Sequence, residues 1–146
     1  MNRSKKLVSI VSIVLVELLF TSSVTVFAGT KTIKESCSLY RNRNQSTTIT
    51  AKEDTDITIN YDLGSDSASG TVCFDISKQQ WGPFYRSVYV KTVKANTSGT
   101  LTFTVDETTK YNVSITNNSE KPASVMGIYE ITYYELTGRV ASGSFK

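Results

Sequence analysis

Strict alternation between apolar and polar residues is the feature that most limits how this chain can fold. From Asp56 to Leu63 the sequence reads DITINYDL, which puts isoleucine, tyrosine and leucine on one side of an extended chain and polar residues on the other. The same period of two recurs in TVCFDIS, GTLTFTV and KYNVSIT. Alternation of β-branched and aromatic residues with polar ones predicts strands that have one buried and one wet face.

The remaining segments complete an all-β pattern. Less regular strands are predicted over Thr30–Tyr40, Ser46–Ala51, Phe84–Val93 and Ser124–Leu136. The connectors are short and rich in Asn, Asp, Ser and Gly, which are turn formers, and no segment after residue 28 has a helical period. About eight such strands predict a single antiparallel β-sandwich of the jelly-roll or Greek-key type.

The first 28 residues are predicted to be a secretory signal peptide. The basic start MNRSKK precedes an apolar core from Leu7 to Phe20, and the small residues Val26 and Ala28 form an A-x-A-like cleavage site. An uncleaved anchor is the alternative, but a spanning helix needs about 20 apolar residues, and this core is shorter and contains Glu17. We therefore expect cleavage after Ala28, secretion, and no membrane span in the mature chain.

The predicted mature chain holds one domain. We expect the β-sandwich over residues 29–136, which is long enough for a hydrophobic core, and a flexible C-terminal tail over residues 137–146. The whole chain has a net charge of +3, and the signal segment alone contains three basic residues and one acidic residue. The charge left on the mature protein is too small to attract nucleic acid or an anionic membrane, so we expect no nucleic-acid partner.

The two cysteines, Cys37 and Cys73, both lie in the mature part. An exported chain with an even number of cysteines predicts one disulfide bond. In TVCFDIS, Cys73 shares a face with Asp75 and opposes Phe74, which places the expected bond at the surface or edge of the sandwich. A zinc site is not expected because the thiols are far apart and the chain has no His. We predict no metal and no cofactor.

The segment GTLTFTVDETTKYNVSITNNS, Gly99–Ser119, resembles the strand–turn–strand unit of small secreted bacterial β-sandwich domains. Pre-peptidase C-terminal domains and carbohydrate-binding jelly rolls are such groups, and some of their members accompany secreted enzymes and bind glycans or cell surfaces. The resemblance implies the architecture and carries no residue with a defined role. The acidic, calcium-associated motif of some of these domains has no match here.

Catalytic sets are missing from the sequence. Without His, the Ser-His-Asp and Cys-His arrangements are excluded. A glycosidase needs two carboxylates that face each other across a cleft, and carboxylates are present in number: Asp54, Asp56, Asp62, Asp66, Asp75, Glu130 and Glu135. Their position on the wet faces of strands favours an ordinary surface role. We therefore expect no enzymatic activity and keep a hydrolase with paired carboxylates as a weaker alternative.

Calcium is a second candidate for these acidic residues. KEDTD contains Glu53, Asp54 and Asp56, and DLGSDS contains Asp62 and Asp66. Loop carboxylates separated by small residues can gather round a hard cation. The spacing matches no EF-hand, and Asx-turns explain the same residues.

The sequence KQQWGPFYRSVYV, which begins at Lys78, contains the only Trp of the chain. We predict that KQQWGP is a connector and that FYRSVYV is a strand. Alternation then predicts three residues that face the core and three that face solvent, namely Phe84, Val88 and Val90 inward and Tyr85, Ser87 and Tyr89 outward.

This connector is the candidate binding site. Gln79, Gln80, Trp81 and Tyr85 combine aromatic rings, which stack on the apolar face of a sugar, with amides, which bind hydroxyl groups. Exposed Trp and Tyr also anchor protein interfaces. The alternative is that Trp81 covers one end of the core while Pro83 fixes the turn.

These observations predict a small secreted, non-enzymatic protein that acts as an extracellular binding module. The expected partner is a glycan, the cell envelope or an extracellular protein. The alternative function is that of a secreted effector, such as a bacteriocin-like toxin or an enzyme inhibitor.

Overall fold

The structure, a computed structural model, describes residues 27–137, and every regular element within them is a β-strand. In chain order the strands are β1 (Phe27–Leu39), β2 (Asn44–Ala51), β3 (Asp56–Ser65), β4 (Thr71–Trp81), β5 (Phe84–Lys94), β6 (Thr97–Thr104), β7 (Thr109–Asn117) and β8 (Val125–Thr137). The predicted all-β fold is confirmed. The predicted signal peptide and C-terminal tail lie outside the described residues, apart from their ends at 27–28 and 137.

Two four-stranded antiparallel sheets form a sandwich. Their strand orders are β1-β8-β3-β6 and β2-β7-β4-β5. The first strand therefore pairs with the last, the second with the seventh, the third with the sixth and the fourth with the fifth, as in a long hairpin that has rolled up on itself. This is the arrangement of a jelly roll. The β4–β5 turn is the tip of that long hairpin.

The core lies between the sheets and is built by the alternating residues. All of its members are 8% exposed or less, and the largest fully buried side chains are those of Tyr111, Tyr129, Phe74, Ile57, Ile59, Leu63, Ile76, Ile115 and Ile131. Residues Ala28–Leu136 form one compact unit around this core. Burying each large apolar side chain contributes roughly 1.5–3 kcal/mol, so the alternation is the main source of fold stability.

The predicted facing of β5 holds at Val88, which packs against the core, but is wrong at Tyr89 and Val90. Ile76 of β4 pairs with Tyr89, and the next β4 residue pairs with Ser87, so Val88 is an extra residue in β5. Such a β-bulge reverses the side on which the following residues lie. As a result Tyr89 packs against the core, whereas Val90 is 59% exposed.

The predicted disulfide is absent, since Cys37 and Cys73 are both free thiols. Cys37 lies in β1 and belongs to the core, at 4% exposure. Cys73 lies in β4 of the other sheet, between the buried residues Val72 and Phe74, so alternation turns its side chain to the outer face. Packed sheets are about 10 Å apart. The Cys37 side chain points into the space between the sheets, whereas the Cys73 side chain points away from it, so the two sulfur atoms cannot bond.

One end of the sandwich is closed by a buried amide. Asn117 is fully buried at the end of β7, and its Nδ2 donates to the carbonyls of Leu39 at 2.9 Å and Ala123 at 2.8 Å. Its Oδ1 accepts from the Ser119 backbone N–H at 3.1 Å and from the Ser119 hydroxyl at 2.6 Å. The side chain thus joins the end of β1 to the β7–β8 connection.

At Gly127 the strands β8 and β3 approach closely. A Cβ atom there would lie 2.9 Å from the Cα of Leu63, closer than real Cβ atoms come to backbone. Only glycine allows this part of β8 to pair with β3.

Candidate binding site at the tip of the β4–β5 hairpin

The β4–β5 hairpin extends beyond the rest of its sheet. Strand β7 accompanies β4 only as far as the pair Lys78–Tyr111, whereas β5 continues to pair with β4 as far as Trp81–Phe84. The end of the β4–β5 hairpin is therefore a two-stranded ribbon. Contrary to the prediction, KQQW belongs to strand β4, and the turn consists only of Gly82 and Pro83. Gly82 has a φ of 52°, a conformation that glycine adopts without strain.

Three aromatic side chains are exposed on this ribbon. Trp81 is 69% exposed, Phe84 53% and Tyr85 39%. The rings of Trp81 and Phe84 pack on each other with centroids 4.2 Å apart and an interplanar angle of 40°. The alternative prediction, that Trp81 covers one end of the core, is therefore wrong. A two-stranded ribbon has little stability of its own, and this ring pair contributes to its order.

The aromatic rings belong to two sides of the ribbon. The bulge at this point lies in β4, where Gln80 is the extra residue, so β5 alternates regularly from Phe84 to Ser87. Phe84 thus shares a face with Arg86, and Tyr85 shares the opposite face with Ser87. Since Trp81 stacks on Phe84, these two rings form a pair from which Tyr85 is separate. We refer to Trp81 and Phe84 as the aromatic tip.

The two glutamines of the predicted site have different surroundings. The Gln79 amide donates a hydrogen bond to the carbonyl of Gly82 and so closes the turn. Gln80 is exposed and forms no hydrogen bond within the part of the chain that the structure describes. Of the predicted site residues, the structure thus exposes Trp81, Tyr85 and Gln80, and it gives Gln79 a role in the turn.

A groove of about 470 Å³ lies beside the aromatic tip, at the open end of the sandwich. Strands β4, β5 and β6 and the β6–β7 turn line it, with Lys78, Gln80, Arg86, Ser87, Val88, Phe103, Thr104 and Asp106. Val88 and Phe103 form an apolar wall of the groove. Both side chains are partly buried and pack against the core. The groove therefore combines an apolar surface with charged and amide groups next to an exposed ring pair.

Lys78 and Asp106 form the most ordered polar part of the groove. The Lys78 Nζ lies 2.8 Å from Asp106 Oδ2 and 3.3 Å from Glu107 Oε2, and its side chain is only 15% exposed. The Tyr111 hydroxyl donates to Asp106 Oδ1 at 3.0 Å. The hydrogen bonds from Lys78 and then Tyr111 hold the pKa of Asp106 below its usual value, and the bond to Asp106 raises the pKa of Lys78. Both groups are charged at neutral pH.

Sequence reasoning missed four residues of this site: Phe84, Arg86, Lys78 and Asp106. Phe84 was predicted to face the core. It lies on the core-facing side of β5, but the ribbon extends beyond the end of the core, so the Phe84 ring is exposed. Arg86 was in the quoted segment and occupies the same face two residues later. Nothing in the sequence indicated that Asp106, which is 28 residues from Lys78, would pair with it.

Four of the eight carboxylates considered for catalysis or calcium have structural partners. Asp56 accepts a hydrogen bond from Thr104, Asp66 from the Ser124 N–H, and Asp75 from Ser77 and Ser87; Glu135 pairs with Lys31. Over residues 27–137, no three acidic or cysteine side chains are placed to hold a metal ion together. Within the same range there is no helix of the length and apolarity that a membrane crossing requires.

No protein family model and no curated protein matches this sequence. Among solved structures, the chain is similar to PliG, a periplasmic lysozyme inhibitor of g-type lysozyme from Aeromonas hydrophila, with 12% identity and a TM-score of 0.49 over 73% of this chain and 89% of that one. It is also similar to a family two carbohydrate esterase from Cellvibrio japonicus, with 14% identity and a TM-score of 0.38 over 77% of this chain and 36% of that one.

The chain thus spans about a third of the length of the esterase. At this identity and these TM-scores, neither likeness bears on the activity or ligand of the chain. The two antiparallel sheets of this chain agree with the architecture that the resemblance of Gly99–Ser119 implied. The named domain groups themselves find no match, so membership in them stays a prediction.

Proposed function

We propose that the protein is a secreted, non-enzymatic binding module that holds an extracellular glycan on its aromatic tip. The observation that carries the proposal is the exposed pair of Trp81 and Phe84 at the end of a ribbon that extends beyond the sheet. Large aromatic side chains are usually buried, and these two contribute nothing to the core. Their exposure is therefore better explained by a ligand than by folding.

The chemistry of the tip suits a sugar. The C–H face of a pyranose ring packs on an aromatic ring, and the gain comes from removing both apolar surfaces from water. Hydroxyl groups at the rim of the sugar need hydrogen-bond partners, which the free amide of Gln80 and the side chains of the adjacent groove can supply. A site of this kind binds a chain of sugars lengthwise along the ribbon.

The absence of enzymatic activity is part of the proposal. It is supported by the sequence, which has no His, and by the carboxylates with structural partners described above. The groove is open at the end of the sandwich and is lined by a salt bridge whose two members neutralise each other. Such an arrangement binds polar groups and offers no raised-pKa acid to protonate a leaving group.

The test is retention of the purified protein on insoluble cellulose, chitin, xylan and peptidoglycan. Trp81→Ala should abolish retention on the polysaccharide that holds the wild type, with an unchanged far-UV circular dichroism spectrum. Tyr40→Ala is the matched control, because Tyr40 is equally exposed, at 70%, and lies at the opposite end of the sandwich beside Asn117. Equal retention of Trp81→Ala and wild type would refute the proposal.

A protein partner is the second candidate. Trp, Tyr and Arg are the residue types that dominate interface energetics, and Trp81, Tyr85 and Arg86 lie together on this ribbon. A protruding ribbon can also enter the cleft of an enzyme, as a secreted inhibitor or toxin requires. This candidate predicts that the purified protein inhibits growth or a target enzyme, that Trp81→Ala loses the inhibition, and that no polysaccharide retains the wild type.

A further inference from the structure

The groove beside the aromatic tip contains one cation, Arg86, that has no internal partner among residues 27–137. Lys78 is held by Asp106 and Glu107, whereas Arg86 takes part in no ion pair and no side-chain hydrogen bond within residues 27–137. Its side chain is exposed at the mouth of the groove. A guanidinium has five N–H donors in a planar fork that matches a carboxylate. Arg86 is thus available to a ligand.

Apart from Gln80, whose amide is free, the other polar groups of the groove are already in use or are acceptors. The Ser87 hydroxyl donates to Asp75, and the Thr104 hydroxyl donates to Asp56. Asp106 accepts one bond on each oxygen, from Lys78 and Tyr111, which leaves a lone pair on each oxygen for a further donor. A ligand that fills the groove must therefore bring an anion for Arg86 and hydroxyl donors for Asp106.

The charge balance narrows the class of anion. Lys78 and Arg86 are matched by Asp106 and Glu107, so the groove as a whole has no excess positive charge. A glycan with several charges on each sugar unit, as sulfation or phosphorylation gives, would be repelled by the two carboxylates. A sugar unit that carries a single carboxylate among several hydroxyl groups satisfies both kinds of partner.

The position of Arg86 relative to the aromatic tip sets the length of the ligand. Phe84 and Arg86 lie two residues apart on the same face of β5, which corresponds to about 6–7 Å. This is somewhat longer than the repeat of one ring in a sugar chain, and the long Arg86 side chain can bridge the difference. One ring can therefore present its carboxylate to Arg86 while the next ring stacks on Phe84 and Trp81.

From these contacts we propose that the glycan is an acidic one, a chain of uronic-acid type whose carboxylate is bound by Arg86. This inference rests on the proposed function and specifies its ligand. Arg86 gives specificity for the acid, and the aromatic tip gives affinity for the sugar ring. A neutral glycan would leave the guanidinium without its partner.

The experiment is native affinity electrophoresis of the purified protein in gels that contain polygalacturonate, alginate or hyaluronan. Each is compared with its methyl ester, which keeps the sugars and removes the charge, and with dextran. We expect retardation by at least one acidic polysaccharide, with at least tenfold weaker binding to its ester, as loss of a charged hydrogen-bond pair implies. Retardation by the ester equal to that by the acid would overturn the inference.

Three variants assign the effect to residues. Arg86→Gln should reduce binding of the acidic chain to that of its ester, and Arg86→Lys should restore it only in part because the fork geometry is lost. Lys94→Gln removes the same charge from the other end of β5 and should bind as the wild type does. An unchanged Arg86→Gln overturns the inference.

The same gels separate this inference from the proposed function. If the protein binds only neutral polysaccharide and Trp81→Ala abolishes this binding, the acidic ligand is refuted. The glycan-binding role of the aromatic tip is then retained. No retardation by any polysaccharide would refute both.

Discussion

Replacement of Asn117 by alanine should destabilise the protein more than any change to its polar surface. The side chain is fully buried and satisfies its full hydrogen-bonding capacity, with two donated and two accepted bonds at 2.6–3.1 Å. Asn117→Ala removes all four at once. The carbonyls of Leu39 and Ala123 then lose a donor, and the Ser119 N–H and hydroxyl lose an acceptor.

The magnitude follows from the number of groups left without a partner. A buried polar group that loses its hydrogen bond costs about 1 kcal/mol at the low end of the measured range, so the variant should lose roughly 3–4 kcal/mol. Small domains have a total stability of about 5–15 kcal/mol. The variant should therefore remain folded at 25 °C with a Tm lower by about 15 °C.

Urea unfolding followed by far-UV circular dichroism measures this loss. The signal comes from the strands, which is necessary because the single Trp is exposed and reports poorly on folding. Asn118→Ala is the matched control, since Asn118 is the exposed neighbour and only its backbone N–H, which the substitution keeps, bonds to Thr71. A surface substitution usually changes the free energy of unfolding by no more than about 0.5 kcal/mol. If the free energies of unfolding of the two variants differ by less than this, the proposed role of Asn117 is wrong.

Three further outcomes are expected. Gly127→Ala should cost several times more stability in urea than Gly64→Ala, where an added Cβ has no heavy atom closer than 3.7 Å; equal effects would contradict the close approach of β8 and β3. Iodoacetamide should label Cys73 first, because burial both hides Cys37 and raises the pKa of its thiol; no labelling after denaturation would instead reveal a disulfide. Asp106→Asn should lower stability at pH 7, and this deficit should shrink as the pH falls below the usual pKa of a carboxyl, because the stabilisation by a carboxyl of lowered pKa is lost as it is protonated; a deficit of constant size down to acidic pH would exclude an ionic origin.

The sheets themselves were predictable because burial has a period of two. In β3, β6 and β7 every second residue is apolar, and the structure buries those residues in whole or in part. Alternation also placed Cys73 correctly on the outer face of its strand. The disulfide failed for a reason that spacing cannot show: Cys37 lies in the other sheet and faces the core.

The site was only partly predictable because two bulges interrupt the alternation. The extra residue Val88 exchanges the faces of Tyr89 and Val90, and the extra residue Gln80 brings Trp81 opposite Phe84. A bulge has no strong sequence signal here. The sequence also could not show that the β4–β5 ribbon extends beyond the neighbouring strand β7. This extension leaves the aromatic tip exposed.

Fluorescence of the single Trp is the most direct test of the central claim, that the aromatic tip is the surface that holds the ligand. Because Trp81 is the only Trp of the chain, emission reports on this position alone. When the polysaccharide that retains the protein is titrated in, the emission of Trp81 should shift to shorter wavelength and become protected from quenching by iodide, with the same midpoint as binding. Binding that leaves both the emission and the quenching of Trp81 unchanged would contradict the claim.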